Sequence, residues 1–187
     1  MRKLKLQVQI SINGFIAGPN GEMDWLTWNH DTELLKFITA LTDSCDTIIL
    51  GRKLAEGFIP YWANIAGNKE DPQYSFGKIM HDYHKVVFTK TLAKSDWPNT
   101  VLANGDLVEE INKLKNQDGK DIVVYGGADF VSNLIENNLI DELNLFVNPV
   151  AIGDGMAIFK AKKDFTLLKS SPFSCGINVL TYKPLNK

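Results

Sequence analysis

A strand that runs into a helix through two glycines constrains this chain more than any other feature. Ile122-Val123-Val124-Tyr125 is a short apolar, mostly β-branched run, the composition of a strand buried on both faces. It leads straight into Gly126-Gly127. From Ala128 to Asn137 the spacing predicts a helix, with Phe130, Leu134 and Ile135 on one face. Such a turn presents backbone N–H groups at the positive end of a helix with no side chain in the way, and phosphate binds well there. The same turn also serves as a plain strand-to-helix junction, so the pattern alone leaves both roles open. Downstream, Leu139-Ile140-Asp141-Glu142-Leu143 opens an alternation of Leu143, Leu145 and Val147, followed by Pro149 and Gly153-Asp154-Gly155.

Elsewhere, Leu4, Leu6, Val8, Ile10 and Ile12 alternate with Lys3, Lys5, Gln7, Gln9 and Ser11, which predicts a strand with one buried face. Asn13-Gly14 ends it, and Gly18-Pro19-Asn20-Gly21 is strongly turn-forming. Asp31 stands before Leu34, Leu35, Phe37, Ile38 and Leu41, a helical spacing in which it serves as an N-cap. Thr47 to Leu50 reads as a short buried strand. Gly57 to Tyr74 holds two prolines and two glycines and reads as an irregular functional loop. Helices are expected at Tyr74 to Tyr83 and Asp106 to Lys115. Strands are expected at Val86 to Thr89, Thr100 to Leu102, Thr166 to Leu168 and Ile177 to Tyr182. Strands and helices alternate first and strands dominate later, an order that gives a mixed sheet with helices on both faces.

With 187 residues, the chain is expected to form one domain, 1–187, with a sizeable core. A net charge of −2 with scattered Lys and Arg gives no general pull toward nucleic acid. Two cysteines are too few for a disulfide framework, and a reduced cytoplasm suits both. No run approaches a membrane span, and the N-terminal alternation is not a signal peptide. His81 and His84 are three apart on a predicted helix with only Asp82 nearby, so no metal site is expected. Nucleophile elbow, P-loop and dinucleotide fingerprint are all missing.

These segments, in this order, resemble the dihydrofolate reductase-like superfamily, and most of all the reductase domain of riboflavin biosynthesis and its small stand-alone relatives. Ser11-Ile12-Asn13-Gly14-Phe15-Ile16-Ala17 is similar to that family's first strand and loop, with Asp24-Trp25 after it. Asp46 to Arg52 is similar to its strand and Gly-Arg turn, and Gly176 to Pro184 to its last strand. The resemblance implies an α/β fold, a three-layer α-β-α sandwich with a mixed, mostly parallel central sheet. It implies NADP(H) as cofactor, held by Gly51, Arg52 and Lys53, by Thr89 and Lys90 near the adenosine phosphate, and by Gly126, Gly127, Ala128 and Asp129 at the pyrophosphate. In that pattern the Gly126–Gly127 bond is cis, and Ile16 and Ala17 cover the nicotinamide. It further implies a small flat substrate, pteridine- or aminopyrimidine-like, lying near Asp24, Trp25 and Tyr61. Asp31 is then the catalytic carboxylate or, on the plainer reading of the residues, a helix cap. A homodimer is implied as well. A dihydrofolate reductase proper and a non-catalytic NADP(H)-binding sensor are the alternatives.

Overall fold

The computed structural model describes residues 1–185; residues 186 and 187, which end the expected domain, lie outside the described residues. Strand β1 (Leu4–Ser11) is followed by β2 (Phe15–Ala17), α1 (Thr32–Asp43), β3 (Cys45–Gly51), α2 (Arg52–Gly67) and α3 (Tyr74–Asp82). Then come β4 (His84–Phe88), β5 (Thr100–Ala103), α4 (Leu107–Lys115), β6 (Asp121–Val124) and α5 (Ala128–Glu136). The chain closes with β7 (Glu142–Asn148), β8 (Met156–Ala157), β9 (Phe165–Pro172) and β10 (Asn178–Pro184). Eight strands form one sheet in the order β5-β4-β3-β6-β1-β7-β10-β9, and β2 pairs with β8 apart from it. Pairings from β5 to β7 are parallel; β7–β10 and β10–β9 are antiparallel.

Helices cover both faces. On one, Ile111 and Leu114 of α4 and Val131, Leu134 and Ile135 of α5 pack on Leu4, Leu6, Val8 and Ile10 of β1. On the other there are two separate apolar clusters. One joins Ala55 and Ile59 of α2 and Met80 of α3 to Ile48, Leu50, Val87 and Val123. The other joins Leu34, Ile38 and Leu41 of α1 to Phe146, Ile177 and Val179. The three-layer α-β-α expectation therefore holds.

Three local expectations need correction. First, Gly57 to Tyr74 is not a loop: its first half continues α2, with Pro60 inside the helix. An interior proline removes a hydrogen bond and normally breaks a helix. Here burial of Ala55, Ile59 and Ile65, with the aromatic chain Phe58–Trp62–Phe76, holds it together. Second, His81 lies in the last turn of α3 whereas His84 opens β4, so they share no helix face. Between them and the sheet, the 1 % exposed Lys85 donates to the carbonyls of His81 and Tyr83. Third, the polar face of β1 is not solvated. Lys5, Gln7 and Ser11 are each under 10 % exposed, because this row runs in the gap between the two apolar clusters of the second face. Lys5 is satisfied by Ser44 and Asp121, and Ser11 by Asn13 and the N–H of Phe15.

Candidate functional site

In an open parallel sheet, ligands bind beyond the carboxyl ends of the strands, where successive connections leave in opposite directions. Here that point lies between β3 and β6. From β3 the chain passes into α2 on one face; from β6 it passes into α5 on the other.

The two helix starts at this point differ from those of α1 and α4, which carry aspartate caps at Asp31 and Asp106. Helices α2 and α5 begin at Gly51 and Gly127, and neither has a side-chain cap. The N–H groups of Ala128, Asp129 and Phe130 find no acceptor among the described residues. Moreover, the two first turns touch. A Cβ on Gly51 would sit 3.0 Å from Cβ of Phe130, and one on Gly127 would sit 3.9 Å from Cβ of Leu54. Gly51 has an ordinary φ of −74°, so it is needed for space. Gly127 has φ +86°, so it is needed for backbone conformation. Two sets of unpaired N–H groups and two positive helix ends thus converge on one spot, an arrangement that attracts an anion.

No peptide bond among the described residues is cis. The Gly126–Gly127 bond, which the resemblance makes cis, is trans; φ values of +152° and +86° turn the chain instead.

Cations stand around the spot. Lys53 is exposed on the first turn of α2, and Arg52 pairs with Glu56 at 2.5 Å. Asp129 brings a negative charge, but Lys160 lies 2.8 Å from its carboxylate and holds it below the usual carboxylate range. The Asp129 side chain is therefore engaged, and its backbone N–H is the group left open. Sequence reasoning missed Lys160, because nothing local to residue 160 signals a helix end 31 positions earlier. Beyond β4, Thr89 accepts from the N–H groups of Thr91 and Leu92 and so builds its own turn. Lys90 donates to the carbonyls of Asn104 (3.0 Å) and Gly105 (2.5 Å), which keeps its ammonium at this same strand edge.

On the β1 side the edge is notched. Strand β1 pairs with β6 only from Leu4 to Leu6, but with β7 from Lys5 to Ser11. Ile16 and Ala17 lie beside the notch as β2, 7 % and 8 % exposed. Gly155 allows β8 to close on them, since a Cβ there would meet the Ala17 carbonyl at 2.3 Å. The loop from Gly18 to Asp31 carries exposed Asp24 and half-buried Trp25, whose indole N–H donates to the Glu22 carbonyl. Tyr61 is on α2, 51 % exposed, edge-on to Trp62. Asp31 is fully engaged: one carboxylate oxygen accepts from the N–H of Leu34, the other from Ser174 Oγ and the N–H of Cys175. These bonds, led by that from Leu34, hold its carboxyl down at about 2. This is the geometry of a cap, and such a carboxylate keeps no proton at neutral pH.

Another residue absent from the sequence reading holds the loop in place. Asn148, at 0 % exposure, accepts from the N–H of Thr27 (2.9 Å) and donates to Gln9 Oε1 (2.8 Å) and to the Phe146 carbonyl (3.0 Å). A cavity of about 30 Å³ near Ile135, Leu143 and Phe165 is too small for a ring.

Comparison with known proteins agrees with this architecture. The structure superposes on a putative riboflavin biosynthesis protein of Shewanella sp. PV-4 with a TM-score of 0.71 at 21 % identity, covering 100 % of both chains. It superposes on the diaminohydroxyphosphoribosylaminopyrimidine deaminase/5-amino-6-(5-phosphoribosylamino)uracil reductase of Thermotoga maritima with a TM-score of 0.70 at 18 % identity, covering 98 % of this chain and 57 % of that one. In sequence, it is 32 % identical over 186 residues to the uncharacterized protein YyaP of Bacillus subtilis (strain 168), covering 97 % of this chain and 94 % of the relative. The family model for the RibD C-terminal domain matches residues 2–179. With a match over residues 2–179 of 187, on this fold, the chain belongs to the RibD C-terminal domain family.

Proposed function

We propose that the protein is an NADPH-dependent reductase of a small, flat, nitrogen-containing ring, pteridine- or aminopyrimidine-like. The observation that carries this reading is the meeting of two glycine-started helices, α2 and α5, at the switch point of the sheet. Family membership supports reductase-like chemistry. The donor set suits the cofactor: free N–H groups and no side chain for a pyrophosphate, with Lys53, Lys160 and Lys90 to balance phosphate charge. Gly126, Gly127, Ala128 and the N–H of Asp129 would hold the pyrophosphate from α5, and Gly51 and Arg52 from α2. Lys90 would meet a ribose phosphate, which favours NADPH over NADH. When bound, NADPH supplies a hydride. The chain's part is to place the ring in the notch beside β1 and to exclude water with β2 and the loop pinned by Asn148. The proton comes from a group other than Asp31.

Titration with NADPH, followed by stopped-flow oxidation across a panel of pteridines and aminopyrimidines, tests this. Oxidation by one ring class is the expected result. Tight NADPH binding without oxidation by any ring would leave a nucleotide sensor instead, and absence of NADPH binding would remove both readings. We also infer a homodimer, for which the half-exposed Leu167 and Leu168 on the edge strand β9 give support; light scattering showing only monomer at micromolar concentration would overturn it.

A further inference from the structure

We infer that Lys160 is a positioning residue for the cofactor turn: its ion pair with Asp129 holds that carboxylate off the free N–H groups of α5 and so keeps the turn open for a phosphate-bearing ligand. This deepens the NADPH reading and rests on it for the identity of that ligand. Asp129 is the second residue of α5, in the turn that also carries the open N–H groups of Ala128 and Phe130. A carboxylate so placed is attracted to its own helix end. From the cap positions of α1 and α4, Asp31 and Asp106 answer that attraction, and each accepts from first-turn N–H groups. Asp129 does not. Helix α5 has no side-chain cap, and the Asp129 carboxylate is engaged instead by Lys160 Nζ at 2.8 Å.

The backbone at Lys160 is anchored beside α5. It follows Ile158, fully buried, and Phe159, and both pack in the apolar cluster that includes Val131 and Leu134 of α5. The paired groups themselves are open to solvent, with the lysine side chain 48 % and the aspartate side chain 79 % exposed. A pair so exposed adds little to the stability of the fold, so its loss is read in binding rather than in folding. Freed from Lys160, the Asp129 carboxylate has two attractions, and both lie within the anion spot. One is the set of open N–H groups on its own first turn. The other is Lys53 of α2, which adds to the leading effect of Lys160 in holding this carboxyl below its ordinary range. Loss of Lys160 therefore leaves a negative charge uncancelled beside the phosphates and lets it occupy the donors that they need. Lys160 balances phosphate charge by holding Asp129, not by touching phosphate.

Calorimetric titration of the protein with NADP⁺, and separately with inorganic pyrophosphate, tests the role of the pair. Lys160→Met should weaken NADP⁺ by about tenfold. In an Asp129→Ala background the same substitution should cost no more than about threefold, because no carboxylate is left to enter the turn. Asp129→Ala alone should tighten NADP⁺ by about two- to fivefold, a gain that misfolding cannot produce. Lys160→Arg keeps the ion pair and should stay within about twofold of wild type. In amide spectra of the ligand-free protein, Lys160→Met should move the Ala128 and Phe130 signals, and Lys160→Arg should leave them in place. Equal losses from Lys160→Met in both backgrounds would overturn the inference, since Lys160 would then touch phosphate itself. Wild-type NADP⁺ affinity in Lys160→Met would overturn it too, and either result leaves the NADPH reading standing. The expected pattern with pyrophosphate but no binding of NADP⁺ would preserve the role of the pair and defeat the NADPH reading. A wild type that binds neither would defeat both.

Discussion

The Gly127→Val substitution separates the cost of the cofactor turn to the fold from its value to binding. Gly127 has φ +86° and ψ 94°. A Cβ built there meets only ordinary contacts, 3.8 Å to Cβ of Phe130 and 3.9 Å to Cβ of Leu54. The cost to the fold is therefore mainly conformational, about 1–3 kcal/mol for an L residue held in so sparsely populated a region. For a chain of this length that lowers the melting temperature of the nucleotide-free protein by about 2–12 °C. Binding is affected separately. At NADPH one hundred times its Kd, wild type gains about 2.7 kcal/mol, or about 5–11 °C. In the variant an isopropyl group stands before the free N–H groups of α5, so that gain should disappear. Thermal scans with and without NADPH, paired with a fluorescence titration, report the two effects independently. A variant that melts lower on its own yet keeps the full NADPH shift would refute the reasoning, because the phosphate would then lie elsewhere.

Three other outcomes are expected. Lys90→Ala should weaken NADPH by about ten- to hundredfold and NADH far less, since a charge-assisted contact to a group only NADPH carries is lost; equal losses for both nucleotides in parallel titrations would count against it. Asp31 has a folded pKa of about 2 against an ordinary 3.8, so its contribution is present above about pH 4 and drains away as pH falls toward 2. Asp31→Asn keeps the cap on Leu34 and should flatten this acid limb in denaturation midpoints, with NADPH affinity at neutral pH unchanged. Burial pushes Lys85 down to about 8 from 10.5. The unfolded chain then binds the extra proton between those values, so stability should rise with pH from about 8 to about 10.5, and Lys85→Met should abolish that rise.

Local signals made the two glycine-started helix junctions legible. Gly126-Gly127 is written between a β-branched run and an amphipathic helix, and Gly51 directly follows the β3 run; both junctions fell where expected. The alternation of β1 located its apolar face from Leu4 to Ile10, missed that Ile12 lies beyond the strand and is exposed, and misjudged the other face, because polarity marks a partner as often as it marks water. Helix α2 was hidden by Gly57, Pro60 and Gly67, whose local preferences are overridden by the packing of Ile59, Ile65 and Trp62. The contacts that pin the loop after β2 were illegible for a different reason. The bond between Gln9 and Asn148 joins residues 139 apart, and Asn148 in turn accepts from a third residue, Thr27. No window of sequence contains that relation.

The place of β1 also sets the order of events while the chain is being made. This strand is central in the sheet, yet it is synthesised well before either neighbour. Contacts of its first residues with Asp121 and Asp141 span 118 and 137 positions. At ordinary ribosomal rates of about 5–20 residues per second, roughly 7–27 s pass before β7 exists to pair with it. During that time Leu4, Leu6, Val8 and Ile10 form an apolar edge without its partners, the kind of segment that recruits neighbouring chains. Lys5, Gln7 and Gln9 interrupt it at every second position. The polar row of β1 thus keeps the earliest strand of the chain soluble, and a Gln7→Met protein should yield less soluble material when expressed quickly.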